Sequence, residues 1–543
     1  MNPQQIKQAR ADFWEHKAPQ DRKHAHLPAA SLIVNAADDP TTLFNSAWMQ
    51  QVVPYLMGKK HPSWDKLYNI QWCVRTWDLD EVWDASHLSY FEMMGNRSLW
   101  SYFKKESITW SWEFLTQVLK LDPKKIAVTV FEWDDNAPRD EESATHWKEQ
   151  WVPDSLISYL WVKDNRWGPA GATGPCGPDT EIFYWIWDSE YPPESSNVRE
   201  DEDNWMEIWN NVFMAYNKDA DGNYTELQQK NVDTWMWFER ISLVMQSIAE
   251  WRDIREMSVY DTWMFRELLH TLSQKSLIEY SAAVWTQLRD FRVIADHCRA
   301  AAMLIAEWLT PSNEWRWYVL RKLIRRMYFH CTNLLWDRLS TSQDRKNLCS
   351  EFLQWYASQY ERLKREYDRV VTVLIQEVEW FVRTLDQWTK KLTEMLEWFQ
   401  QLTWEQAFTL YDTYWLPLEV TSEIAWKAWV QVDKDWFDTA MEAARERSRS
   451  WWWKFSKTTD RASFVDWLPE TQFVGYDEHV AESTLLKDDT IDWMRVLVFD
   501  TTPFYAESWG QRGDYWTITL DDGSAVNVVD TQAYGWVQLH IVE

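Results

Sequence analysis

Hydrophobic and polar positions change period twice along the 543 residues of this chain. Up to about residue 250, short apolar runs alternate with helix-like stretches, and Ile126–Phe131 and Glu181–Ile186 read as strands. All glycines between 96 and 221 fall within Trp167–Pro178, whose Gly-Pro composition predicts an irregular loop. From about 255 to 450 the period turns helical. Leu363, Tyr367, Val370, Leu374, Val378, Phe381, Leu385, Trp388, Leu392 and Met395 follow one another in steps of three and four. That seam runs about four heptads with charges between, and predicts a long packed helix or helical hairpin rather than an oligomerising coiled coil. After about 465 strands return, at Arg495–Phe499 and Tyr515–Leu520. No internal repeat is visible, and the length allows two to four domains.

Composition narrows the class. Hydrophobic content of 45% and charged content of 26% are those of a globular protein. No run of about 18 apolar residues could span a membrane, and the opening decapeptide lacks the apolar stretch of a signal peptide. Cys73, Cys176, Cys298, Cys331 and Cys349 are odd in number and include no Cys-x-x-Cys. This points to reduced thiols in a cytoplasm and away from a disulfide framework or zinc knuckle. A net charge of −28 argues against general affinity for nucleic acid. Neither DNA nor a membrane is an expected partner. A nucleic-acid site must be a local patch, such as Arg316, Arg321, Lys322, Arg325 and Arg326, although such a cluster is usually a solvated helix face.

Tryptophan changes the picture most. The chain has 44 tryptophans and 12 glycines, where about 7% glycine is usual. Trp235 and Trp237 (Asp-Thr-Trp-Met-Trp), Trp315 and Trp317 (Asn-Glu-Trp-Arg-Trp) and Trp415 (Asp-Thr-Tyr-Trp) stand where backbone chemistry asks for glycine. We read this as a UGA codon that the organism decodes as glycine and that was rendered as tryptophan. The alternative is a Trp-rich carbohydrate- or membrane-binding protein.

Ordered motifs along nearly the whole chain carry a resemblance. They are Asp39–Phe44, Tyr68–Gln71 through Cys73–Arg75, Tyr90–Asn96, Thr173–Pro178, Asn210–Phe213 and Val232–Arg240. Ala295–His297, Pro311–Tyr318, Leu410–Pro417 and Thr502–Ser508 follow. Together they resemble the alanyl-tRNA synthetase family. The resemblance implies an α+β fold: a class II antiparallel sheet with helices over 1–250, a helical tRNA-recognition domain over 251–460, and an incomplete β-barrel over 461–543. It implies an enzyme that activates L-alanine with ATP and Mg²⁺ and passes it to tRNA(Ala). Neither displacement needs a protein nucleophile, so positioning and charge stabilisation should dominate.

By resemblance, Arg75 meets the α-phosphate and Arg240 the far end of the nucleotide; planar, permanently charged forks suit both tasks. His87, Glu92 and Met93 complete the expected ATP site. Asp233 and Asn210 would hold the α-amino group, and Met93, Trp167 and Val212 would wall the alanine pocket. An N-cap role is the bland reading of Asp233. Asn313 and Asp412 resemble the pair that reads the acceptor stem, with Arg316, Arg321 and Arg325 positioning phosphates. A loop cap and a turn residue are the bland readings of Asn313 and Asp412.

Trp167 is a tryptophan the family also carries; Trp209 is tryptophan or glycine there. Trp48, Trp77, Trp83, Trp100, Trp133, Trp161, Trp308, Trp404, Trp429, Trp436, Trp509 and Trp516 stand at family glycines. Each misfit costs on the order of 1–3 kcal/mol, and a dozen exceed a stability of roughly 5–15 kcal/mol. Taken as written, the chain should neither fold well nor bind ATP; with glycine it should do both. His540 has no His-x-x-x-His partner, so the family's zinc-dependent editing centre is expected outside this chain, leaving no metal site here and a monomer as the default. A catalytically inactive homologue that binds tRNA is the main rival reading.

Overall fold

The computed structural model describes residues 1–34, 43–396 and 465–542, apart from 63, 77–78, 80, 170–172, 188–189, 313–314, 336–337, 466–467, 476–479, 492–493, 507–513, 515–516, 521–522 and 535–536. The chain divides into two compact units, residues 1–310 with 323–378, and residues 311–322 with 379–543.

The first unit is built on one sheet. Its strands are β1 (Ala25–His26), β2 (Lys66–Val74), β3 (Tyr90–Leu99), β4 (Ile126–Phe131), β5 (Ile157–Leu160), β6 (Arg166–Trp167), β7 (Gly174–Trp185), β8 (Trp205–Lys218) and β9 (Tyr224–Trp237). The order is β1-β2-β3-β9-β8-β7-β4-β5, with β6 beside β7. Pairing is antiparallel except for β1 with β2 and β4 with β5. All ten residues of β3 are buried, so its polar members must find partners on both faces.

The Gly-Pro run is a correction. Gly174–Pro178 is not irregular loop but the first half of β7. Pairing with β8 overrides the local signal, at the cost of a register shift between Cys176 and Asp179. Gly177 is obligatory there, because a Cβ would lie 2.0 Å from the carbonyl oxygen of Phe213.

Helices Phe238–Glu250, Arg266–Ser276, Trp285–Ala306, Trp315–Leu335, Ser342–Gln359, Glu361–Arg365 and Tyr367–Leu396 follow the sheet. The expected seam continues from the short helix into the 30-residue one, and Leu363, Val370, Leu374, Val378 and Phe381 are fully buried. In the second unit, Leu485–Ile491, Met494–Phe499, Val537–Val542, Ala525–Tyr534 and Thr517–Thr519 form an open antiparallel sheet in that order.

Tryptophans fall into two environments. Trp14, Trp147 and Trp209 are fully buried, and the Trp147 indole N–H donates to Thr180 Oγ1 at 2.8 Å. Trp100, Trp151, Trp251 and Trp308 instead have φ between 53° and 69° and are 66–95% exposed. They are four of the six described non-glycine residues with positive φ. Three of them end helices. Val152 N–H reaches Trp147 O at 3.2 Å, Arg252 N–H reaches Ser247 O at 3.0 Å, and Leu309 N–H reaches Leu304 O at 3.2 Å. These are Schellman closures, whose left-handed residue is ordinarily glycine. Trp151 and Trp251 carry no sequence signal that would have singled them out.

Candidate active site

Strand register assembles the site. Met93, Gly95 and Arg97 of β3 pair with Trp237, Trp235 and Asp233 of β9. Asn210 and Val212 of β8 pair with Trp235 and Asp233 on one side and with Glu181 and Asp179 of β7 on the other. Strand alternation puts these side chains on one face of the sheet. So Met93, Asn210, Val212 and Asp233, expected around the amino acid, are brought together. Trp167 joins them through Trp235, the two rings meeting edge to face at 5.9 Å.

Asp233 sits inside β9 and not at a helix start, which removes the N-cap reading. Its Oδ1 accepts from Arg97 Nε at 2.9 Å and from a second nitrogen of the same guanidinium, with both side chains fully buried. Sequence reasoning missed Arg97. The signal was available, since Arg97 and Met93 are four residues apart on a strand and therefore share a face.

At one end of this face Arg75, Ser86, His87, Leu88, Phe91, Glu207, Trp237, Glu239 and Arg240 line a cavity of about 190 Å³. The Trp237 ring lies 4.8 Å from Phe91, with the guanidinium carbons of Arg240 and Arg75 at 4.5 and 5.0 Å over it. Small-molecule sites run to roughly 300–1,000 Å³; here the indole fills the planar slot between ring and guanidinium groups. Arg240 Nη1 donates to Glu207 Oε2 at 2.9 Å and to its carbonyl at 3.1 Å, and Arg75 Nε donates to Ser46 O at 3.4 Å. The hydrogen bond to Asp84 holds the His87 imidazole above its ordinary pKa despite partial burial.

Glu92 does not reach this cavity. It alternates with Met93 along β3 and faces the helices. Its carboxylate accepts from Lys7 Nζ at 2.6 Å and Tyr360 OH at 3.0 Å, while Arg299 Nη2 lies 3.6 Å away. Arg299 also donates to Glu239 at 2.7 Å. The lysine and the two glutamates thus form a buried network with Arg299, which corrects the placing of Glu92 in the nucleotide site.

The family model for class II (A) tRNA synthetases matches residues 5–543. The alanine–tRNA ligase of Treponema pallidum is 40% identical over 78% of this chain and 69% of that protein. The corresponding ligase of Treponema denticola is 40% identical over 81% and 71%. That of Rubrobacter xylanophilus is 35% identical over 96% of this chain and 58% of its own length. The chain belongs to the alanine–tRNA ligase family of class II tRNA synthetases. It spans about six- to seven-tenths of the length of these relatives.

Of the family residues expected at tRNA, Asn313 and Asp412 lie outside the described residues. Arg325 is 1% exposed and donates to Glu377 Oε1 at 3.0 Å, so it is not a surface group for phosphates. Arg316 is partly buried, and burial lowers its pKa. Arg321 lies over the Trp380 ring at 4.9 Å. His540 is a satisfied core residue, bonded to Thr502 Oγ1 at 2.8 Å and Leu497 O at 3.1 Å, and burial lowers its pKa to about 4. Among the described residues no helix is long and apolar enough to cross a membrane, and no three His, Cys, Asp or Glu side chains converge on a metal-sized site. All five cysteines are free and buried.

Proposed function

We propose that the natural protein is a cytoplasmic alanine–tRNA ligase and that its exposed left-handed tryptophans, with Trp235 and Trp237, stand for glycine. One observation carries the reading. Arg75, Phe91 and Arg240 converge on a planar slot at the end of the face that holds Met93, Asn210, Val212 and Asp233.

In the first step an alanine carboxylate oxygen attacks the α-phosphate of ATP and pyrophosphate leaves. Arg75 offsets the charge that builds on the phosphoryl oxygens, His87 adds positive charge at the rim, and Arg240 holds the nucleotide's far end. Asp233 and Asn210 hold the ammonium group, and Met93, Val212 and Trp167 exclude longer side chains. In the second step a terminal tRNA hydroxyl attacks the carbonyl carbon and AMP leaves. Positioning and preorganised charge supply the rate. Mg²⁺ has no all-protein cage among the described residues. It needs none, because nucleotide-borne Mg²⁺ takes only one or two carboxylates, and Glu207 lies on the cavity wall. Arg316, Arg321, Asn313 and Asp412 would meet tRNA. Arg325 drops out. A small pocket cannot reject serine or glycine strongly by binding alone, so accurate charging needs an editing activity besides this site.

The inactive-homologue reading has its own support in Trp237, whose indole fills the slot. Alanine-dependent ATP–pyrophosphate exchange on the chain as written and on W235G/W237G separates the two. Exchange only with glycine supports the ligase. Exchange by neither, with both folded, leaves the inactive homologue. Peptide mass spectrometry of the natural protein reads positions 151, 251 and 308 directly, and tryptophan there would remove the codon reading.

A further inference from the structure

Two carboxylates decide which end of the Asn210 amide faces the amino-acid pocket. Asn210 is 3% exposed. Its Nδ2 donates to Glu181 Oε1 at 3.0 Å and to Asp179 Oδ2 at 3.4 Å. Asp179 is held in turn, its other oxygen accepting from Asn165 Nδ2 at 2.9 Å. Asn165 is anchored on Thr129 Oγ1 at 2.8 Å. An ionised carboxylate only accepts, and a protonated one still offers a carbonyl oxygen, so the nitrogen end of Asn210 belongs toward this pair. Both amide hydrogens are then used.

The carbonyl end is left over. Asn210 Oδ1 is buried and has no hydrogen-bond partner. A buried acceptor in that condition costs about 1–3 kcal/mol, and such an atom calls for a reason. A ligand that brings a donor supplies one. Register places Asn210 two residues along β8 from Val212, which pairs with Asp233, so carbonyl and carboxylate share one face and one neighbourhood. An ammonium group has three donors and no acceptor. It would be repelled by an amide presented nitrogen-first and held by one presented oxygen-first.

We propose that Glu181 and Asp179 are positioning residues for amino-acid recognition, locking the Asn210 amide so that Oδ1 accepts a hydrogen bond from the ammonium group of the bound amino acid. This rests on the ligase reading above. Orientation carries the effect, because a flipped amide turns an attractive contact into a repulsive one.

The test is a mutant cycle in pyrophosphate exchange, run on the full chain as written and with W235G/W237G. Glu181→Met removes the acceptor at similar volume and is expected to raise KM for alanine about tenfold, a change of about 1.4 kcal/mol, with KM for ATP within about twofold. Glu181→Gln keeps an acceptor oxygen and restores most of the loss. In an Asn210→Ala background Glu181→Met should add less than about twofold, since the group it positions is gone. Asp179→Ala should behave as Glu181→Met does, more weakly. An equal loss in the Asn210→Ala background, or no loss in the parent, overturns the proposal. If the parent exchanges with a different amino acid, the alanine reading falls and the same cycle with that amino acid decides this one. If it exchanges with none, neutron diffraction from crystals of the full chain reads the amide directly, and Oδ1 facing Glu181 overturns the proposal.

Discussion

The two faces of β3 bury charge to opposite effect. On the helix side, Glu92 and Glu239 have all four carboxylate oxygens occupied, by Lys7, Tyr360, Arg299 and the Glu92 backbone N–H. On the other side, Asn210 Oδ1 and the indole nitrogens of Trp235 and Trp237 are buried without partners. Carboxylates satisfied in this way bind elements of the fold to one another and offer a ligand no unoccupied oxygen, although Arg299 Nη1 and Tyr90 OH on this side are buried without partners. An unoccupied amide oxygen, on a face that also carries paired charges, is where a ligand completes the hydrogen bonding. Polarity alone does not separate the two. The occupancy of the carboxylate and amide oxygens does.

The largest test of this contrast opens the incomplete face. W235G/W237G should turn undetectable ATP binding into saturable binding, measured by calorimetry without alanine, because the indole leaves the slot between Phe91 and Arg240. Saturable binding by the chain as written would break the comparison at its centre. Next comes the helix side. Arg299→Leu leaves two buried carboxylates short of their cation and should cost about 3–5 kcal/mol in urea unfolding. A loss under about 1 kcal/mol would mean that network does not hold the helices to the sheet.

Tryptophan substitutions sharpen the same point at smaller scale. Trp151→Gly and Trp251→Gly should each stabilise by about 1–2 kcal/mol, the cost of a left-handed conformation for a residue with a Cβ. The core Trp147→Ala should lose about 3–5 kcal/mol. Shifts in the denaturation midpoint of one sign for all three would show that exposure and φ do not distinguish the two classes.

The smallest effect is a pH slope. Burial, opposed by hydrogen bonds from Asn165 and Asn210, pushes the Asp179 carboxyl up from 3.8 to about 7. The folded state therefore binds more protons than the unfolded one across that window, and stability falls as pH rises through it. Asp179→Asn removes the titration, so its Tm advantage over the parent should grow from near zero at about pH 4 to a plateau above about pH 7. A difference that stays flat across this range would place the Asp179 carboxyl near its ordinary pKa.

Much of the molecule was legible in the residues alone. The continuous apolar run of β4, the three-and-four spacing from Leu363 onward and the order of the motifs led to the sheet, the long helix and the family. The cluster of Met93, Asn210, Val212 and Asp233 followed from resemblance and agrees with strand alternation. Glu92 did not, because a motif names adjacent residues together while a strand sends them to opposite faces. Asp179, Glu181 and Arg97 went unnoticed for a related reason: their roles depend on which strand lies beside them.

By itself, the sequence determined periodicity, family and the excess of tryptophan over glycine, since these are properties of residue type and spacing. Only the tertiary structure decided the rest. Pairing with β8 made a strand of Gly174–Pro178. Glu377, 52 residues downstream, took Arg325 out of solvent. Helix closures gave Trp151 and Trp251 a positive φ. In each case the deciding partner or backbone angle comes from long-range packing or chain geometry, which local spacing does not encode.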